Sequence, residues 1–150
     1  MLQETELMKR ALELARLSMG NGNEPFGAIL VKNGEIVKEG TNEIHSNMDP
    51  TNHAELGLIR DFCRESGVTD LSEYTLYTSC EPCCMCSGAM VWSSLGKMRY
   101  SVSHDELADI AGSNIMIGSQ EVFQKSPNSP EVIGHLLNEE GLTIVKSYQW

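Results

Sequence analysis

Two short segments, Thr51-Asn52-His53-Ala54-Glu55 and Glu81-Pro82-Cys83-Cys84-Met85-Cys86, lie about thirty residues apart and constrain the rest of this chain more than any other feature. Together they offer one imidazole, a Cys-x-x-Cys pair and one carboxylate. If the stretch after Pro82 is helical, Cys83 and Cys86 share a face, whereas Cys84 turns about 100° away. Proline suits a first helical turn, where its missing donor is not needed. Unpaired backbone donors and the helix dipole there favour thiolates. His53 also follows a turn signal, Asp49-Pro50-Thr51, so two helix starts are expected to converge on one metal ion. A Cys, Cys, His set is borderline-soft and fits zinc, one ion per chain. Cys80 forms a second, overlapping Cys-x-x-Cys with Cys83. A closed structural site of His53, Cys80, Cys83 and Cys86 is therefore the alternative to an open site of His53, Cys83 and Cys86.

The pattern around these segments alternates helix and strand. Leu7, Ala11, Leu14 and Ser18 line one face of a helix expected over residues 1–19. A strand over 26–31 leads into a hairpin turn at Asn33-Gly34, and Ile36-Val37 begins the returning strand. A polar loop over 41–52 precedes a helix that begins near His53 and stops at Gly67. The next strand covers 74–78, a helix runs from Pro82 to Gly96, and a strand covers 97–102. Beyond Ser103 the expectation is a short helix over 106–110, an extended piece at 115–117 and a turn at 127–130. A helix over 131–140 and a last strand over 142–145 complete the chain. This order predicts one α/β layered domain, residues 1–150, with a mixed sheet.

Charge narrows the partners. With 21 acids against 11 lysines and arginines, the formal net charge is -10, which opposes binding to nucleic acid or an anionic membrane. A small polar or neutral substrate remains compatible. The amino terminus lacks a basic segment followed by an apolar run, and no stretch approaches the length of a spanning helix. Five cysteines, four of them between Cys80 and Cys86, read as reduced, cytoplasmic metal chemistry rather than a disulfide scaffold.

An open zinc site keeps one position for water and lowers its pKa from 15.7 to about 7. Glu55 beside such a water can move its proton to a substrate nitrogen or leaving group. That arrangement suits attack on an sp² carbon flanked by ring nitrogens, with loss of an exocyclic amine. His53-Ala54-Glu55 with Pro82-Cys83-Cys84-Met85-Cys86 resembles the His-x-Glu and Pro-Cys-x-x-Cys motifs of the cytidine deaminase-like zinc deaminases, in which the glutamate is not a zinc ligand. The resemblance covers roughly residues 5–115. Asn23-Glu24-Pro25-Phe26-Gly27-Ala28, Asp49 to Glu55 and Tyr77 to Cys83 bring it nearest to bacterial guanine deaminases, with tRNA adenosine deaminases related.

The resemblance implies a cytidine deaminase-like, three-layer α-β-α sandwich around a mixed five-stranded sheet. It implies that Asn42 hydrogen-bonds the substrate ring, that the Ala54 backbone lies against it, and that Phe26 and Trp92 form pocket walls. It further implies a homodimer in which residues 111–150 exchange or close the pocket, with Tyr148 or Trp150 as the closing aromatic. Asn114 stands where guanine deaminases place an aspartate. An amide both donates and accepts, whereas a carboxylate only accepts. Either the ring differs from guanine, or a neighbouring carboxylate such as Asp109 replaces the aspartate.

The function implied is deamination of a free purine base, guanine to xanthine and ammonia. The alternatives are another amino-heterocycle or nucleoside (cytosine, an aminotriazine, guanosine), adenosine in tRNA, or a non-catalytic structural zinc domain.

Overall fold

The computed structural model describes residues 3–150, so the first two positions of the expected amino-terminal helix lie outside the described residues. Helix α1 spans Glu4–Gly20 and is followed by β1 (Gly27–Lys32) and β2 (Glu35–Thr41). Asn33 and Gly34 join these strands with φ of 53° and 76°, the doubly left-handed turn that matches strand twist. Then come α2 (Ala54–Ser66), β3 (Thr75–Cys80), α3 (Cys84–Trp92) and β4 (Lys97–Val102). Gly67 ends α2 in the left-handed region at φ 75°, as expected of a stop glycine. The chain closes with α4 (His104–Ala111), α5 (Ser119–Gln124), β5 (Glu131–Ile133) and α6 (Asn138–Ser147).

The five strands form one mixed sheet in the order β2-β1-β3-β4-β5. β1 is antiparallel to β2 and β3, while β3, β4 and β5 run parallel. Burial on both faces explains the apolar run in β1, where Ala28, Ile29 and Leu30 are fully buried. On one face α1 supplies Leu7, Met8, Ala11 and Leu14 against Ile29, Val31 and Tyr77, with Ile144 of α6 alongside. On the other, Leu58 and Ile59 of α2, Met90 of α3 and Phe123 of α5 pack on Leu30, Leu76 and Met98. The result is the three-layer α-β-α sandwich with a five-stranded mixed sheet.

The early elements follow the sequence reading, and the carboxy-terminal third departs from it. Glu131–Ile133 is a strand where a helix was expected. The β-branched Val132 and Ile133 suit a parallel edge, and buried Arg99 secures it by donating to Glu131 O and Oε1, each at 3.0 Å. Leu142 to Val145, expected as a strand, lies inside α6, where Gly141, Ile144 and Val145 are buried at helical spacing. Ile115 to Ile117 form no strand and are exposed. The six-residue α5 went unread because one and a half turns carry too little periodicity. Gly96 does not end α3, which stops at Trp92. Gly96 instead opens β4, where a Cβ would collide with Ser72 O.

Candidate active site

His53 and Cys83 occupy equivalent places, the N-cap positions of α2 and α3. Neither residue is a good cap, and neither makes a side-chain cap hydrogen bond. Replacing a good cap by a poor one forfeits about 1 kcal/mol per helix. The two side chains point instead at one another. His53 Nδ1 lies 3.5 Å from Cys83 Sγ and 3.7 Å from Cys86 Sγ. Pro82 therefore sits one residue before the cap of α3, not within its first turn as the sequence suggested.

All three donor atoms lie within 4.8 Å of one another. A tetrahedral zinc with bonds of roughly 2.3 Å to sulfur and 2.05 Å to nitrogen would hold N and S about 3.6 Å apart. The observed nitrogen–sulfur separations of 3.5 and 3.7 Å bracket that value, so the residues present fit zinc. Cys80 is buried and is not part of the donor group, which leaves the four-ligand alternative without its fourth donor.

The donors also share charge in a way that favours a cation. The Cys86 and His53 side chains hydrogen-bond Cys83 and hold its thiol down to about 4. Cys86, hydrogen-bonded to Cys83 and deeply buried, shifts up. His53 shifts up because it bonds Cys83. A divalent cation held there would displace thiol protons, so its binding releases protons to solvent.

Glu55 follows His53 by two residues, a spacing that separates side chains on a regular helix. His53 is extended at φ -69° and ψ 155°, so the helical rule does not apply and both side chains reach one cavity. Glu55 is 6% exposed. Burial, and then the Cys83 charge, push its carboxyl up to about 7, with His53 opposing. A carboxyl poised there can both take and return a proton near neutrality.

The cavity of about 490 Å³ is lined by His53, Glu55 and Cys83 on one side and by residues 111–115 on the other. Phe26, Asn114 and Trp150 line it as well. The Trp150 and Phe26 ring centroids are 6.0 Å apart, and Trp150 Nε1 donates to Val145 O at 2.9 Å. Trp150 thus folds over the cavity of its own chain. Tyr148 stacks edge-on against Trp150 at 4.6 Å without lining the cavity.

Other expected positions fall elsewhere. Trp92 is 91% exposed and stands outside the cavity, which corrects its expected place in the wall. It ends α3, about 9 Å of helix rise beyond Cys86. Ala54 is fully buried among core residues, and Asn42 is buried with its side-chain oxygen accepting from Ile44 N at 3.2 Å. Neither lines the cavity, and exposed Asp109 does not replace the missing aspartate there. Sequence reasoning passed over Glu24, Glu81 and His104, all of which line it. Glu24 and Glu81 fall inside the sequence motifs, whereas His104 lies in a weakly patterned region.

A three-donor metal group beside a buried carboxylate, in a cavity closed by an aromatic, defines a zinc-binding hydrolytic site. Residues 1–102 match the family model described as the cytidine and deoxycytidylate deaminase zinc-binding region, and the chain belongs to that deaminase family. Guanine deaminase of Bacillus subtilis is 43% identical over 103 residues, which are 68% of this chain and 66% of that protein. The matched region is thus just under two thirds of that relative's length. A probable cytosine deaminase of Schizosaccharomyces pombe is 30% identical over 158 residues, covering 98% of this chain and 94% of that protein. A structure from work on A-to-I editing by tRNA:A34 deaminases is 29% identical, with a TM-score of 0.81, covering 94% of this chain and 99% of that one.

Proposed function

We propose that this chain deaminates a free purine base, converting guanine and water to xanthine and ammonia. The observation that carries the reading is Glu55, buried beside the three donors and facing a cavity of about 490 Å³. Zinc held by His53, Cys83 and Cys86 would supply an activated water. Glu55 takes a proton from that water and delivers it to the ring nitrogen beside the attacked carbon. The water oxygen bonds to that carbon, and Glu55 then carries the oxygen's second proton to the exocyclic amine, so the carbon–nitrogen bond breaks and ammonia leaves. Trp150 and Phe26 exclude bulk solvent from the ring.

Likeness to the Bacillus subtilis guanine deaminase supports guanine, and so does the charge of the lining. Glu24, Glu55 and Glu81 line the cavity, and its lining includes no lysine or arginine. Carboxylates accept from ring N–H and amino groups, so Glu24 would serve where Asn114 replaces an acidic residue. The same lining opposes a tRNA substrate, whose affinity rests on phosphate contacts. Arg10, Lys38 and Arg99 are also engaged by Glu39, Glu65 and Glu4. A homodimer working in a reducing, cytoplasmic setting belongs to the same proposal, and all five cysteines are free.

A second reading, cytosine or another aminated pyrimidine or triazine, draws on Asn114 and on the full-length similarity to the probable cytosine deaminase. Ammonia release from guanine, guanosine, cytosine, adenine and an aminotriazine, with and without a chelator, separates the readings. Guanine is expected to turn over fastest and only without chelator. Faster release from cytosine would replace guanine, and release from none would refute the proposal.

A further inference from the structure

The wall opposite the metal donors has little support of its own. Ala111 to Ile115 line the cavity, yet residues 112–117 are exposed and form neither helix nor strand. Their backbone hydrogen bonds are local, Gly112 N to Ala108 O and Ile117 N to Ile115 O, each at 2.9 Å. Such a stretch keeps its place mainly through its ends, which are α4 before it and α5 after it.

Glu81, two residues before Cys83, grips the start of both helices. Its Oε1 accepts from His104 N at 2.9 Å, and its Oε2 accepts from Ser119 N at 3.1 Å and Ser119 Oγ at 2.5 Å. The first N–H groups of a helix have no partner within it, and a carboxylate is a strong acceptor for them. His104 and Ser119 are 5% and 1% exposed, so water competes little for these bonds. The Glu81 N–H donates to Val102 O at 2.7 Å, which ties the metal-ligand turn to the end of β4. Both carboxylate oxygens are taken, so Glu81 acts on a bound ring through the wall rather than by touching it.

We propose that Glu81 is a positioning residue that clamps the segment from His104 to Ser119 against the Cys83 turn and so sets how tightly the cavity holds its ring. The assignment rests on the deaminase reading above. It predicts a loss in substrate binding with the metal and the proton-transfer step left in place.

The test compares the wild type with Glu81→Ala, Glu81→Gln and Ser119→Ala, with zinc content measured on each. Glu81→Ala should raise KM for the preferred base about tenfold or more, keep its zinc and leave kcat within about threefold. Glutamine keeps an acceptor for His104 N and a group for Ser119 Oγ but loses the acceptor for Ser119 N, so KM should rise only about threefold. Adding Ser119→Ala to Glu81→Ala should change KM no further, because the two residues act through one contact. A fall in zinc content or kcat without a rise in KM overturns the proposal, and so do additive effects in the double variant.

Hydrogen exchange provides an arm independent of turnover and of folding losses in the alanine variant. In Glu81→Gln, amides of residues 104–119 should exchange severalfold faster than in the wild type, while those of residues 54–59 stay unchanged. Acceleration throughout the chain, or none, overturns the clamp. Absence of ammonia release by the wild type would refute the deaminase reading separately, and the exchange result would still decide whether Glu81 holds the wall.

Discussion

The two walls of the cavity are built on different principles. The wall carrying His53, Glu55, Cys83 and Cys86 is formed by the first turns of α2 and α3, packed on the sheet through Ala54, Leu58 and Met90. The facing wall comes from α4, the exposed stretch from Gly112 to Ile115, and Trp150, which is 42% exposed. The metal donors and Glu55 thus sit on elements fixed by the core, while much of the facing wall, Gly112 to Ile115 and Trp150, is exposed. A site arranged this way can keep one chemistry and change its ring by altering the loop and tail.

The comparison breaks most readily at the core wall. His53→Ala should lose its zinc and all detectable turnover, as checked by metal analysis and ammonia release, because two thiolates alone leave the ion poorly held. Glu55→Gln comes next, with kcat lower by about 10²–10⁴-fold and zinc retained. Retention of most of the rate would remove Glu55 from its proton-transfer role.

Effects at the facing wall should be smaller and should appear in KM. Trp150→Ala should raise KM about tenfold with zinc content unchanged, since a ring then loses an apolar cover. The smallest change is expected for Asn114→Asp, which should improve kcat/KM for guanine relative to cytosine by roughly three- to tenfold. An opposite shift in that ratio would show that Asn114 does not face the ring edge carrying guanine's donors.

The same division explains how much the chain disclosed before its structure. Periodicity and turn residues located α1, β1 and α2 most clearly, because each has a buried face, and Asn33-Gly34 follows β1 and Gly67 follows α2. The metal donors were legible because Cys83, Cys86 and His53 form a short, chemically specific pattern. Their convergence was less so, since N-cap geometry at His53 and Cys83 depends on where each helix begins to within one residue. Beyond Ser103 local preference misled: Leu142 to Val145 look strand-forming, yet burial against β4 draws them into α6. Trp92 illustrates the limit for aromatics, which resemble wall residues in sequence until exposure shows otherwise. His104 gave no signal, because its place in the cavity lining depends on how α4 is placed after β4.

The central claim is that the protein grips its ion at three points and leaves the fourth to solvent beside Glu55. X-ray absorption at the zinc edge of the purified, active protein tests this directly. The account predicts two sulfur and one nitrogen neighbour from the chain plus one light atom from water. A third sulfur, which only a rearranged Cys80 or Cys84 would supply, would contradict it.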